Sequence, residues 1–143
     1  MVLREINSDD LNPDFQRKAD ALFAQLTESK KPLPFKVLFT SANPIIILGC
    51  FEEDSLLGMA TLATYSAPSG KKGWIEDVVV HSSQRGRGIG RKLVQSLVDK
   101  AGKLGCSDLL LFTAFHRKPA IALYESLGFS RKESHLYIMK FGQ

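Results

Sequence analysis

The stretch Val78-Val79-Val80-His81-Ser82-Ser83-Gln84-Arg85-Gly86-Arg87-Gly88-Ile89-Gly90-Arg91 decides the fold. A β-branched run leads in, and glycines then alternate with arginines. Ile89, Leu93, Val94, Leu97, Val98, Ala101 and Leu104 follow at helical spacing, up to Gly105. The segment reads as strand, loop, helix. Gly86, Gly88 and Gly90 permit positive φ and close approach of a ligand. The helix begins inside the loop, so its unpaired N–H groups form an anion site. Arg85, Arg87, Arg91 and Lys92 add cations, and no acid occurs between Asp77 and Asp99. Each anion–dipole contact is worth roughly 0.3–1 kcal/mol when exposed and about 2 when partly buried, so several together can hold a pyrophosphate. The Gly-Lys-Ser/Thr ending of a P-loop is absent, and no strand–turn–helix with a later ribose acid fits a dinucleotide fingerprint. No helix-turn-helix pattern or basic–aromatic interleaving points to nucleic acid.

Working outward, Trp74–Val80 reads as a central strand and Ala67–Gly73 as an exposed loop before it. Ile45–Phe51 is a continuous apolar run suited to a buried strand. Leu56–Tyr65 is its hairpin partner, with Gly58 as a bulge position. Val2–Ile6 makes a first strand. Asn12 caps a helix that has Pro13 in its first turn and apolar positions from Phe15 to Leu26. Lys30–Pro34 breaks the chain, and Phe35–Phe39 makes one short helical turn. Beyond the glycine loop, Asp108–Phe115 reads as a strand and Pro119–Leu127 as a helix stopped by Gly128. Phe129–Arg131 and Leu136–Phe141 read as a terminal strand pair. Hairpins first and strand–helix–strand crossovers later predict an α/β (α+β) mixed sheet of six to seven strands. It is antiparallel at the N-terminal side, with about four helices on both faces.

The 143 residues are 44% apolar and 24% charged, which fits one globular domain over 1–143. No apolar run approaches the ~20 residues of a membrane span. The N-terminus lacks the apolar stretch of a secretory signal. Cys50 and Cys106 are too few for a disulfide framework, so a cytoplasmic home is expected. The three histidines and two cysteines show no metal-ligand spacing. The net charge of +4 is uneven. Residues 1–72 carry 8 basic and 9 acidic side chains, and residues 73–143 carry 11 and 6. The positive charge therefore lies in the half that holds the loop.

Arg85-Gly86-Arg87-Gly88-Ile89-Gly90 resembles the acyl-CoA pyrophosphate loop of the GNAT superfamily of N-acetyltransferases, Arg/Gln-x-x-Gly-x-Gly/Ala. Ala120-Ile121-Ala122-Leu123-Tyr124-Glu125-Ser126-Leu127-Gly128-Phe129 resembles that family's C-terminal helix ending in Leu-Gly-Phe. The element order fits from the first strand to the last. The resemblance implies an acetyl-CoA-dependent N-acetyltransferase acting on a primary amine of a small molecule (amino sugar, polyamine or amino-acid-like) or a protein. The alternative is a module that binds acyl-CoA without turnover. The family carry-over gives Arg85, Gly86, Arg87, Gly88, Ile89, Gly90 and Arg91 to the pyrophosphate, mainly through backbone N–H groups. It gives the backbone of Val78, Val79 and Val80 to the pantetheine arm. Tyr124 matches the tyrosine near the CoA sulfur, where it donates a hydrogen bond or proton to the departing thiolate. Full transfer from a tyrosine to a thiolate is uphill by roughly 2 kcal/mol, so the hydrogen bond is the safer role. Arg117 stands where the family often has asparagine. That residue's role is not transferred, and a cation near the CoA phosphates is one substitute.

Direct transfer needs a neutral amine, and an alkylamine is only on the order of 0.1% neutral at pH 7. A carboxylate base, acting directly or through water, raises that fraction. Glu76 and Asp77 are the candidates. Strand neighbours face opposite sides, and Glu76 shares parity with Val78 and Val80, so Glu76 is the first choice and Asp77 the second. Either could instead be a strand-end carboxylate bound to a loop. A backbone N–H of Val78 or Val79 suits the tetrahedral oxyanion. His81, His116 and His135 are weaker candidates. The strand Ile75–Val80 also resembles that of glucosamine-6-phosphate N-acetyltransferases. Leu26–Phe39, Tyr65–Trp74 and the terminal pair should build the acceptor site, and Lys30, Lys31, Lys71 and Lys72 would suit an anionic acceptor. The expected partners are acetyl-CoA and an amine, with no metal, nucleic acid or membrane. An edge strand near the C-terminus leaves a homodimer open.

Overall fold

The computed structural model describes residues 1–142. The chain forms two compact units, Met1–Phe112 and Thr113–Gln143. The first holds one sheet in the order β1-β2-β3-β4-β5. Its strands are β1 (Val2–Glu5), β2 (Ile45–Glu52), β3 (Ser55–Ala67), β4 (Gly70–Val80) and β5 (Asp108–Leu110). The first four pair antiparallel, and β5 joins β4 in parallel. The expected change from hairpins to a crossover is therefore present. The Ala67–Gly73 stretch is not a loop. Ala67 pairs with Gly70, so Pro68 and Ser69 alone turn a hairpin whose strands run longer than their apolar cores.

Helix α1 (Pro13–Ala24) starts as read: the Asn12 side chain accepts from Phe15 N–H at 2.9 Å, with Pro13 in the first turn. Its Ala19 and Leu22 pack with Phe35 of the short α2 (Phe35–Leu38) on Ile47, Leu56, Met59 and Val79 of the sheet. Helix α3 (Ile89–Lys103) covers the other face, burying Ile89, Leu93, Val94, Leu97 and Ala101. Gly58 lets α3 come this close. A Cβ there would lie 3.0 Å from the Val79 carbonyl oxygen and 3.1 Å from Ile89 Cγ2. The bulge expected at Gly58 falls one residue earlier: Cys50 pairs with Gly58 and Phe51 with Leu56, which leaves Leu57 as the extra residue.

The second unit contains α4 (Lys118–Ser126). Among the described residues the sheet has five strands, not six to seven. Asp108–Phe115 contributes only its first three residues as strand. Neither Phe129–Arg131 nor Leu136–Phe141 forms a ladder. Phe129 N–H is bonded to Tyr124 O as part of the helix cap. Leu136–Phe141 has β-prone side chains, but composition makes a strand only where backbone partners exist.

Candidate functional site

β4 does not alternate as a regular strand would. Thr61 pairs with Glu76 but Met59 pairs with Val79, so β4 spends one residue more than β3 over this interval. Asp77 takes φ +50°, one of two non-glycine residues with positive φ among the described residues. Aspartate tolerates this left-handed conformation better than most side chains. The bulge overturns the parity argument. Val79, not Val78 or Val80, is buried on the α1 face, while Glu76 sits opposite Thr61. Asp77 and Val78 have no register partner in β3. β5 pairs with β4 only at Lys72–Trp74, so beyond Trp74 no described β5 residue closes that edge.

On the α1 side of the bulge lies a cavity of ≈ 220 Å³. Asp77 lines it together with Thr61, Met59, Phe23, Leu33 and Lys30. Glu76 is not among the lining residues. Desolvation raises the Asp77 carboxyl above its ordinary range, with the Lys30 charge opposing. Glu76 is also raised, first by desolvation and then by the charge of Asp77, again opposed by Lys30. Of the two carboxylates only Asp77 opens onto the largely apolar cavity, at an exposed rim position, and its partial desolvation makes that carboxylate more basic.

The loop after β4 is built by local bonds. His81 N–H donates to Leu57 O at 2.8 Å, and His81 Nδ1 accepts from Ser83 N–H at 3.1 Å. Gln25, at the end of α1, accepts from Ser82 N–H at 2.8 Å. Gly86 and Gly88 adopt φ +86° and +76°, and no atom lies within 4 Å of where a Cβ would stand on either. Gly90 is already inside α3. Gly88 is the N-cap of α3 and offers no side-chain acceptor, so the first-turn N–H groups lack a side-chain cap. Ile89 is buried, which leaves only its backbone for a ligand. Arg87 is committed elsewhere: it donates to Gln84 Oε1 at 2.6 Å and to Glu52 Oε2 at 2.9 Å. That pair ties the loop to the β2–β3 turn and holds the Glu52 carboxyl below its ordinary range.

In the second unit, α4 ends in a Schellman motif. Gly128 takes φ +100°. Its N–H donates to Glu125 O, and Phe129 N–H to Tyr124 O, each at 3.1 Å. The Tyr124 and Phe129 rings meet edge-on at 6.0 Å. Burial raises the Tyr124 hydroxyl above its ordinary range, with Arg117 opposing, so the phenol stays protonated at neutral pH. Arg117 precedes the first turn of α4 and supplies no side-chain cap.

Among the described residues, no three His, Cys, Asp or Glu side chains converge as a metal site. No described helix is long and apolar enough to cross a membrane. Sequence reasoning missed the Gln25–Ser82 and Glu52–Arg87 links. Their spacings of 57 and 35 residues leave no local signal.

A bulged strand thus runs into a glycine loop and a helix start without a side-chain cap. The model of the acetyltransferase (GNAT) family matches residues 2–129, and the chain belongs to that family. It is 38% identical over 60 residues to N-alpha-acetyltransferase 30 of Saccharomyces cerevisiae, covering 42% of this chain and 34% of that protein. It is 41% identical over 63 residues to glucosamine 6-phosphate N-acetyltransferase of Arabidopsis thaliana, covering 44% and 40%. The matches thus span well under two thirds of either relative. A putative acetyltransferase from Agrobacterium tumefaciens superposes with a TM-score of 0.82 at 25% identity, covering 98% of this chain and all of that one.

Proposed function

We propose that this protein is an N-acetyltransferase, a single catalytic domain over 1–143, that transfers the acetyl group of acetyl-CoA directly to a primary amine of a small molecule. The observation that carries this reading is the bulge in β4. It turns Asp77 into a cavity directly before the loop whose backbone suits a pyrophosphate. Acetyl-CoA is the acyl donor of the family. The residues fit it: the space over Gly86 and Gly88 is open, and the start of α3 has no side-chain cap. Backbone N–H groups from Arg85 to Arg91 would hold the phosphates. The backbone of Val78 to Val80, beyond the reach of β5, would pair with the pantetheine amides. When bound, acetyl-CoA supplies the thioester carbonyl that the amine attacks.

Asp77 removes the proton from the incoming ammonium, directly or through one water, and its raised basicity suits that task. Glu76 acts beside it by its charge. Tyr124 hydrogen-bonds the departing thiolate, and its raised pKa favours this over full proton transfer. Arg117 contributes positive charge toward the CoA phosphates. We infer a cytoplasmic location, where both cysteines stay free.

Isothermal titration with acetyl-CoA, followed by an amine screen read as free thiol, tests the proposal. Saturable binding and amine-dependent thiol release are expected. Binding without release would leave a non-catalytic acyl-CoA module. Absence of binding at millimolar acetyl-CoA would remove the proposal altogether.

A further inference from the structure

The cavity beneath α1 and α2 has a composition of its own. Its walls are mainly apolar, with Phe23, Leu33, Phe35, Leu38, Ile47 and Met59 among them. Four charged side chains interrupt this surface, two acids (Asp20 and Asp77) and two lysines (Lys30 and Lys31). Asp20 is engaged by Gln16 Nε2 at 2.8 Å, which leaves Asp77 as the acid without a hydrogen-bonded partner among the described residues. The volume of ≈ 220 Å³ is below the roughly 300–1,000 Å³ of sites for drug-sized ligands. Neither lysine forms an ion pair among the described residues, although the Lys30 charge reaches both Glu76 and Asp77.

We propose that the acceptor is a small apolar α-amino acid, bound as its zwitterion with its side chain against the apolar wall. This rests on reading the cavity as the acceptor site of the acetyltransfer. The amine goes to Asp77, and the carboxylate goes to Lys30 and Lys31. An acid and a lysine pair on one small apolar cavity complement a molecule that carries both charges on one carbon. An amino sugar would set hydroxyls against Phe23 and Met59, whose side chains offer no hydrogen-bond partner. A polyamine would bring further cations next to Lys30 and Lys31, where like charges repel. In the reaction the amine nitrogen forms a bond to the acetyl carbon, the carbon–sulfur bond breaks, and CoA leaves as the thiol. One ammonium proton passes to Asp77 and on to solvent, and the second proton lost from the nitrogen goes to the departing sulfur.

The test is thiol release by the purified full chain with acetyl-CoA and leucine, methionine, leucinamide, glucosamine 6-phosphate or spermidine. Leucine or methionine should exceed the amino sugar and the polyamine at least tenfold in kcat/KM. Leucinamide, which lacks the carboxylate, should fall at least tenfold below leucine. The Lys30→Gln, Lys31→Gln double variant should shrink the leucine-to-leucinamide ratio, mainly through KM. Leu33→Asp, at an exposed position that tolerates change, should reduce the preference for leucine over the amino sugar. Turnover of glucosamine 6-phosphate or spermidine at or above that of leucine would overturn the assignment while upholding the acetyltransferase. So would equal use of leucine and leucinamide. Calorimetric binding of acetyl-CoA with no amine acetylated would overturn the acceptor assignment, whereas failure to bind acetyl-CoA would overturn the function beneath it.

Discussion

The Phe129 ring stands edge-on to the Tyr124 ring, with centroids 6.0 Å apart and planes at 71°. The backbone makes the same connection, since Phe129 N–H donates to the Tyr124 carbonyl across Gly128. The Leu127-Gly128-Phe129 ending thus does more than stop α4. It fixes the last turn around the one tyrosine of that helix. Tyr124→Phe keeps the ring contact and removes only the hydroxyl, so turnover should fall at least about tenfold with acetyl-CoA affinity nearly unchanged, which corresponds to about 1.4 kcal/mol in the transition state. Phe129→Ala should instead remove an aromatic pair worth about 0.5–1.5 kcal/mol and lower both Tm and turnover. Steady-state kinetics beside thermal melts separate the two. Unchanged turnover in Tyr124→Phe would make Tyr124 a packing residue.

The pH–rate profile should carry an acid limb above the ordinary carboxylate range, because the base must be ionised and desolvation raises Asp77. The rate rises with pH through that raised pKa. Lys30 opposes the shift by its positive charge, so Lys30→Gln should move the limb to higher pH. Asp77→Asn should abolish the limb together with most of the turnover. The Asp77 charge raises Glu76, whereas Asp77 itself is raised by desolvation, so Glu76→Gln should leave the limb in place. A limb that survives in Asp77→Asn and vanishes in Glu76→Gln would exchange their roles.

Asp77 also carries a stability cost. A carboxyl whose folded pKa is raised binds protons more tightly folded than unfolded, so stability falls as pH rises through that window. It sits, besides, at φ +50°, where asparagine is well tolerated. Asp77→Asn should therefore raise Tm at pH 8, and the gain should shrink as the pH is lowered and the carboxyl takes up its proton. A lowered Tm at pH 8 would show that the charge is better paired than its surroundings suggest.

Much of the fold was legible because its signals are local. Asn12 and Pro13 announce α1, the apolar spacing from Ile89 announces α3, and the run at Ile45 announces β2. The site was legible where glycine chemistry is obligatory, at Gly86, Gly88 and Gly128. What escaped is non-local. A bulge is a mismatch between two strands, so the residues Glu76-Asp77-Val78 alone could not reveal that their alternation breaks. Arg87 read as a free cation because its partner Glu52 is 35 residues away. The C-terminal run Leu136–Phe141 read as strand from composition, which says nothing of a backbone partner.

The Glu52–Arg87 pair is exposed, and its removal should leave Tm close to that of the unaltered protein. Its value lies in holding the loop to the β2–β3 turn. Glu52→Gln should raise the KM for acetyl-CoA several-fold with kcat retained, and the effect should fade at high salt. The charge exchange Glu52→Arg with Arg87→Glu should recover part of the loss. A KM unmoved by Glu52→Gln would show that the loop holds its shape through Gln84 and its glycines alone.

The central claim is that β4, its bulge and the following loop bring acetyl-CoA and an amine together for direct transfer. The most direct measurement is free-thiol release from acetyl-CoA by the purified protein, with and without apolar amino acid, compared with Asp77→Asn. The prediction is saturable, amine-dependent release that rises with pH and falls at least about a hundredfold in Asp77→Asn, roughly 2.7 kcal/mol of barrier. Release that is indifferent to the amine, or equal in the two proteins, would contradict it.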